Sequence, residues 1–180
     1  MTDDGLRIGV FVCECGSNIA GSVDCDELTA YSAQLPDVVC AVKNKYTCSE
    51  PGQEEVKRHI REYDLNRVVV ASCTPRMHEP TFRQCVAEAG LNPYLFEMAN
   101  IREHCSWAHL NNFPVATAKA KDIVKSAVAR AQHLVPQVEA EIAVTNEVLV
   151  IGGGVAGIQS ALDLADAGYQ VHLIEKEASV

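Results

Sequence analysis

Val148-Leu149-Val150-Ile151-Gly152-Gly153-Gly154-Val155-Ala156-Gly157 couples an apolar strand directly to a glycine-spaced turn, and its reading decides the fold. Glycines at this spacing form a dinucleotide-binding fingerprint. Gly152 allows the tight exit from the strand, Gly154 lets the backbone approach a pyrophosphate, and Gly157 lets the following helix pack closely on the strand. Val155 and Ala156 open that helix, whose free N–H groups and partial positive charge suit phosphates. A helical pattern follows (Ile158, Ala161, Leu162, Ala165), then a stop at Gly168 and a second strand, Gln170 to Ile174. The spacing delivers Glu175, 18 residues past Gly157, to the strand end with Lys176 beside it. An acidic side chain there accepts hydrogen bonds from a ribose 2′-hydroxyl, which favours FAD or NAD over NADP. The plain alternative is a glycine-rich αβ turn without a ligand. The sequence stops at Val180, five residues after Glu175, so one βαβ unit is expected and the rest of a nucleotide-binding domain is not. A lone unit of this kind cannot bury its apolar faces, and the expectation is a piece of a longer protein that binds FAD weakly or not at all by itself.

Working outward, 180 residues at 48% hydrophobic content suffice for one ordinary domain in addition to that unit. A formal net charge of −9, without any cluster of Lys and Arg, argues against nucleic acid as a partner. No apolar run approaches a membrane span, and Met1-Thr2-Asp3-Asp4-Gly5 is the opposite of a basic signal-peptide start, so a soluble, cytoplasmic protein is expected. Eight cysteines in a reducing compartment point to metal binding or redox work rather than disulfides. The chain contains no C-x-x-C pair, which argues against a zinc ribbon, a thioredoxin motif and a ferredoxin-type run. If these thiols act together, the fold has to gather them.

Periodicity predicts an alternating α/β domain over residues 1–135. Strands are expected at Arg7 to Val12, Val38 to Val42, Val68 to Ala71 and Tyr94 to Met98. Between them come three helices. The first opens at a capping box of Asp24 and Glu27 and carries Leu28, Tyr31 and Leu35 up to Pro36. The second starts near Ser49-Glu50-Pro51 with Val56, Ile60 and Tyr63. The third starts near Pro80 and buries Phe82, Cys85, Val86 and Ala89 before Gly90. A long helix, roughly Ala116 to Leu134, closes the domain. Residues 136–146 form a linker, and 147–180 the beginning of a Rossmann-type FAD domain. The fold class is therefore α/β: a small flavodoxin-like or Rossmann-like parallel sheet followed by the first βαβ unit of a dinucleotide-binding domain.

In such a sheet every strand releases its loop at the same edge, where ligands bind. Cys13, Cys15, Cys48, Cys73 and Cys105 all follow strands and are expected to converge there, although they are scattered in sequence. Cys25, Cys40 and Cys85 fall on packed faces and read as packing residues. Four or five convergent thiolates suit a [4Fe–4S] cluster or a four-cysteine zinc site, with redox-active dithiols and simple buried cysteines as the plainer alternatives. A C-x-C pair rarely gives both sulfurs to one metal, so one of Cys13 and Cys15 is expected to be spare. His78, His104 and His109 lie near the same edge and read first as loop or capping residues, with metal ligation as the alternative. Arg76 and Arg102 either offset cluster charge, bind a partner's carboxylate or are solvated. Trp107 is expected to be a packing anchor for the loop that carries Cys105.

Four stretches together resemble the A-subunit family of heterodisulfide reductases (HdrA): Phe11-Val12-Cys13-Glu14-Cys15-Gly16-Ser17-Asn18-Ile19-Ala20-Gly21, Tyr46-Thr47-Cys48-Ser49-Glu50-Pro51-Gly52-Gln53, Ala71-Ser72-Cys73-Thr74-Pro75-Arg76-Met77-His78-Glu79-Pro80 and Asn100-Ile101-Arg102-Glu103-His104-Cys105-Ser106-Trp107. The likeness covers essentially the whole chain and runs on into the glycine fingerprint that begins that family's thioredoxin-reductase-like region. It implies an iron–sulfur flavoprotein of methanogenesis in which a flavin bifurcates electron pairs. One electron goes toward the mixed disulfide of coenzyme M and coenzyme B, the other toward ferredoxin. The partners so implied are two further reductase subunits and a hydrogenase or formate dehydrogenase, and the five edge cysteines would hold a [4Fe–4S] cluster. Related subunits of sulfate reducers and acetogens leave the terminal substrate open. A non-catalytic zinc or docking module of a flavoprotein complex is the rival reading.

Overall fold

The computed structural model describes residues 5–178. Two compact units divide the chain, one ending at Val138 and one beginning at Glu139. The first is built on β1 (Ile8–Cys13), β2 (Val38–Asn44), β3 (Arg67–Ser72) and β4 (Phe96–Asn100), all parallel and ordered β2-β1-β3-β4. Parallel sheets need both faces covered, and the strands read accordingly: every residue of β1 is buried, and every residue of β3 after Arg67. The covering helices are α1 (Cys25–Ser32), α2 (Glu50–Glu62), α3 (Pro75–Glu88) and α4 (Phe113–Ala131).

Alternation along the strands sorts the core into two layers. Val10, Val12, Val69 and Ala71 meet Leu28 of α1 and Ala116, Ala120 and Val124 of α4. Phe11, Val68, Val70 and Phe96 meet Val56 and Ile60 of α2 and Phe82, Cys85 and Val86 of α3. Cys25, Cys40 and Cys85 are buried in these layers. Burial pushes their thiols up, to about 12 for Cys25 and about 11 for Cys40 and Cys85, so they stay neutral. From β1 the chain crosses to β2 on one side and returns past β1 to β3 on the other. The switch point of the sheet therefore lies between the ends of β1 and β3.

Several boundaries differ from the periodicity. Asp24 caps α1 through its carboxylate and the Glu27 N–H at 2.9 Å, but the Glu27 side chain pairs with Lys121 instead of closing a capping box. α1 stops at Ser32, and Tyr31 lies half-buried beneath the Lys121 ammonium rather than in the core. α3 starts at Pro75, five residues earlier than expected, because Thr74 caps it and Pro75 suits the first turn; Pro80 then sits inside the helix. α4 likewise starts at Phe113, with Pro114 in its first turn. Between β4 and α4 comes a single π-helical turn, Arg102–Ser106, that periodicity did not reveal. Among the described residues, no helix is long and apolar enough to cross a membrane.

The second unit is one βαβ motif: β5 (Glu147–Ile151), α5 (Val155–Asp166) and β6 (Gln170–Ile174), with β5 and β6 parallel from Glu147–Gln170 to Ile151–Ile174. Leu149, Ile151, Leu162 and Ile174 of this motif are exposed.

Candidate functional site

Cys13 is the last residue of β1, Cys73 directly follows β3, and Cys48 lies on the loop from β2 to α2, so the switch-point edge carries three of the thiols. Cys15 joins them through an unusual backbone. It sits in the left-handed region at φ 43°, with Gly16 at φ 54° after it. For a non-glycine residue this costs on the order of 1–3 kcal/mol, and surrounding bonds must hold it. They are present: Glu14 N–H donates to Asn44 O at 3.0 Å, Cys15 N–H to Lys45 O at 3.1 Å, and Ala20 N–H to Glu14 O at 3.0 Å. Lys43 Nζ adds a clamp between Glu14 Oε1 at 3.0 Å and Asp26 Oδ1 at 2.7 Å.

The loop carrying Cys48 is fixed from both ends. Thr47 N–H donates to Cys13 Sγ at 3.5 Å, which seats the loop on the end of β1. Ser49 caps α2, donating its hydroxyl to Tyr46 O at 2.6 Å and accepting from Gly52 N–H at 3.3 Å, while Gln53 Nε2 donates to Cys48 O at 2.9 Å. Gly52 is required here, because a Cβ would run into Tyr46 O and lie 2.7 Å from Thr47 Cα.

The thiols sense one another. Burial raises Cys48 above its ordinary range, with neighbouring Cys13 and Cys15 adding to the effect and Arg102 opposing it. Burial likewise raises Cys73, which Arg102 pulls down while Cys15 and Cys48 push it up. Arg102 is thus the local cation. Glu103 Oε1 holds its Nη2 at 2.7 Å and its Nε at 3.1 Å, and its guanidinium lies 4.8 Å from the Trp107 ring centroid. Trp107 is 47% exposed and packs on its loop through the Arg102 guanidinium.

Cys105 behaves differently. Its sulfur is fully buried against α4 and donates to Ala116 O at 3.0 Å, and burial raises its thiol. The structure therefore places Cys13, Cys15, Cys48 and Cys73 at one edge, with Arg102 beside Cys15, Cys48 and Cys73, and seats Cys105 against Ala116. Cys105 lies within the π-helical turn, and its thiol meets the carbonyl of Ala116 near the start of α4. His104 and Arg76 are exposed, and His78 and His109 are half-buried.

Does this edge suit an iron–sulfur cluster? Among the described residues no three His, Cys, Asp or Glu side chains stand close enough to hold a single metal ion. A four-iron cluster spaces its ligand sulfurs more widely than one ion does, and the donor chemistry is right, with four thiols at one edge. Buried polar atoms point the same way. Asn44 Nδ2, Ser72 Oγ and Glu103 Oε2 are buried without a hydrogen-bond partner among the described residues. All three lie at or just after the carboxyl ends of strands, where native proteins rarely leave such groups unsatisfied. Sequence reasoning missed Asn44 and Ser72; the one available signal was that Ser72 directly precedes Cys73.

In the second unit Gly152 adopts φ 104° and its N–H donates to Ile174 O at 2.8 Å, closing the motif. A Cβ on Gly157 would strike Gly152 O, which fixes the close helix–strand approach, whereas nothing lies within 4 Å of a Cβ on Gly154. The first intrahelical bond of α5 is from Ile158 N–H to Gly154 O at 2.9 Å, leaving the Val155, Ala156 and Gly157 amides at an open helix end. Glu175 braces the loop: Oε2 accepts from Gly153 N–H at 2.6 Å, and Oε1 from Lys176 N–H at 2.7 Å and Glu177 N–H at 3.0 Å. These amides, led by that of Glu177, hold its carboxyl below the usual range. Ile151, Gly152, Ile174, Glu175 and Lys176 line a cavity of about 410 Å3.

The family model for FAD dependent oxidoreductases matches residues 147–180. Across all 180 residues the chain is 59% identical to the second iron-sulfur A-subunit of the CoB–CoM heterodisulfide reductase of Methanopyrus kandleri, covering 27% of that protein. It is 57% identical over 174 residues to the A-subunit of the H2:CoB–CoM heterodisulfide,ferredoxin reductase of Methanothermobacter marburgensis, with 97% of this chain and 26% of the relative aligned. A heterodisulfide reductase A-subunit-like protein of Archaeoglobus profundus is 51% identical over all 180 residues, which make up 26% of its length. Over its whole length the chain belongs to the A-subunit family of heterodisulfide reductases, and it spans about a quarter of the length of the relatives it matches.

Proposed function

We propose that this chain is an electron-transfer segment of a heterodisulfide reductase-type oxidoreductase. In this reading Cys13, Cys15, Cys48 and Cys73 hold a [4Fe–4S] cluster, and the glycine loop at Gly152, Gly154, Val155, Ala156 and Gly157 begins an FAD site. The observation that carries it is the placement of four thiols, from three sequence-distant loops, at the switch-point edge of a parallel sheet. Cys105, expected from sequence as a fifth member of the set, is assigned to packing because its thiol is committed to Ala116 O, and both Cys13 and Cys15 are then ligands in place of the one spare thiol expected of the C-x-C pair. When bound, such a cluster supplies one-electron transfer, and FAD supplies passage between electron pairs and single electrons. The residues of the chain orient and shield. The left-handed turn at Cys15 and the capped start of α2 set the thiol-bearing loops, and Arg102 supplies positive charge beside the thiolates.

The family likeness supports the wider assignment: a subunit serving electron bifurcation toward the coenzyme M–coenzyme B disulfide and ferredoxin, alongside other reductase subunits and a hydrogenase or formate dehydrogenase. One relative carries the heterodisulfide, H2 and ferredoxin in its own name. Iron and acid-labile sulfide analysis of anaerobically prepared protein tests the proposal. About four of each per chain, with broad absorbance near 400 nm, is expected; a colourless protein with stoichiometric zinc contradicts it.

A further inference from the structure

The strand register at the cysteine edge places two unpartnered donors on either side of Cys13. Cys13 pairs with Asn44 of β2, and Val12 pairs with Ala71 of β3, so Ser72 stands one step further along on the other side of Cys13. Two residues earlier on the three strands lie Val42, Phe11 and Val70, all in the layer covered by α2 and α3. Side chains alternate along a strand, so Asn44, Cys13 and Ser72 form a row on that same face. Thr47 Oγ1 donates to the amide oxygen of Asn44, which fixes the amide and directs Nδ2 away from that bond. Among the described residues Nδ2 is buried with no acceptor, and the hydroxyl of Ser72, a residue only 2% exposed, is buried with no partner. The third unpartnered atom, Glu103 Oε2, is an acceptor whose twin oxygen binds Arg102, so it offers nothing to a thiolate.

We infer that Asn44 and Ser72 are the hydrogen-bond donors to the sulfur-rich group gathered at this edge, an inference that rests on the cluster assignment above. Both are positioning residues and hold their protons throughout. Donors to thiolate or sulfide stabilise the more negative, reduced state, so the pair raises the reduction potential and fixes the orientation of the group.

The test is an EPR-monitored potentiometric titration of the anaerobic, iron-loaded chain as wild type, Ser72→Ala and Ser72→Thr. Ser72→Ala is expected to lower the ratio of reduced to oxidised cluster at fixed potential by about threefold to tenfold, tenfold being 59 mV for one electron. Ser72→Thr keeps the donor and should titrate as wild type. In the metal-free chain, Ser72→Ala should unfold at the same or a higher denaturant concentration than wild type, because it removes a hydroxyl that has no partner there. An iron-loaded Ser72→Ala with unchanged potential, or a metal-free Ser72→Ala that is clearly less stable, overturns this inference alone. A wild-type chain without iron overturns the cluster assignment as well. Should Ser72→Ala fail to take up iron, pulsed EPR of the reduced wild type in D2O decides the matter. Exchangeable deuterons coupled to the cluster are expected, and their absence contradicts the inference.

Discussion

Replacing Gly52 by alanine tests how the loop of Cys48 is held. A Cβ at that position would run into Tyr46 O and lie 2.7 Å from Thr47 Cα and 2.8 Å from Thr47 O. All three are backbone atoms, so no side-chain rotation relieves the contact, and the cost falls near the top of the range for overpacking, about 3 kcal/mol. Alanine recovers roughly 0.5–1 kcal/mol as the better helix former. The net loss is about 2 kcal/mol, or roughly 6–8 °C in Tm for a domain of this size. Yielding displaces the Tyr46–Thr47 segment, and with it Cys48 and the Thr47 N–H that contacts Cys13 Sγ. Iron per chain should fall along with stability. The assay is anaerobic thermal unfolding followed by circular dichroism, paired with iron analysis. Gly154→Ala, whose Cβ meets nothing within 4 Å among the described residues, serves as the control and should change neither. If Gly52→Ala melts within about 1 °C of wild type and keeps its iron, the reasoning about this loop is wrong.

Cys105→Ser should retain iron, because a hydroxyl can still donate to Ala116 O, whereas Cys48→Ser and Cys73→Ser should lose it; loss of iron from Cys105→Ser would restore Cys105 to the ligand set. In a chain extended to the length of its relatives, Gly154→Val should prevent flavin uptake by filling the open space above the loop, as read from flavin absorbance after gel filtration. Glu175 gives a pH dependence. Its folded pKa is depressed, so the bracing of the glycine loop is complete above the ordinary carboxylate value of about 4.3 and lost as pH falls through the lower folded value. NMR titration of the Gly153, Lys176 and Glu177 amides should therefore show a midpoint below about 4.3, and a midpoint at or above it would contradict the bracing.

The parts of this architecture that were legible in the sequence are those set by local chemistry. Apolar runs such as Val68–Val70 marked buried parallel strands, and Gly152, Gly154 and Gly157 marked the nucleotide turn through positive φ, open space and close packing respectively. The placement of cysteines after strands put the Cys13–Cys15 pair, Cys48 and Cys73 at one edge although the three stretches are far apart in sequence. Other features depend on competition between signals or on tertiary geometry. Thr74-Pro75 outweighed Pro80 as the start of α3, and Lys121 drew Glu27 out of its capping box. No periodicity announces a π-helical turn, yet Cys105 lies within that turn and meets Ala116. The row of Asn44, Cys13 and Ser72 needs the register of three strands, which pairwise pattern does not supply.

Native mass spectrometry of the anaerobically purified chain tests the central claim most directly. The account predicts a mass increment equal to one [4Fe–4S] cluster, present in wild type and Cys105→Ser and absent from Cys48→Ser. A single zinc ion in its place, or a wild-type chain with no increment, would contradict it.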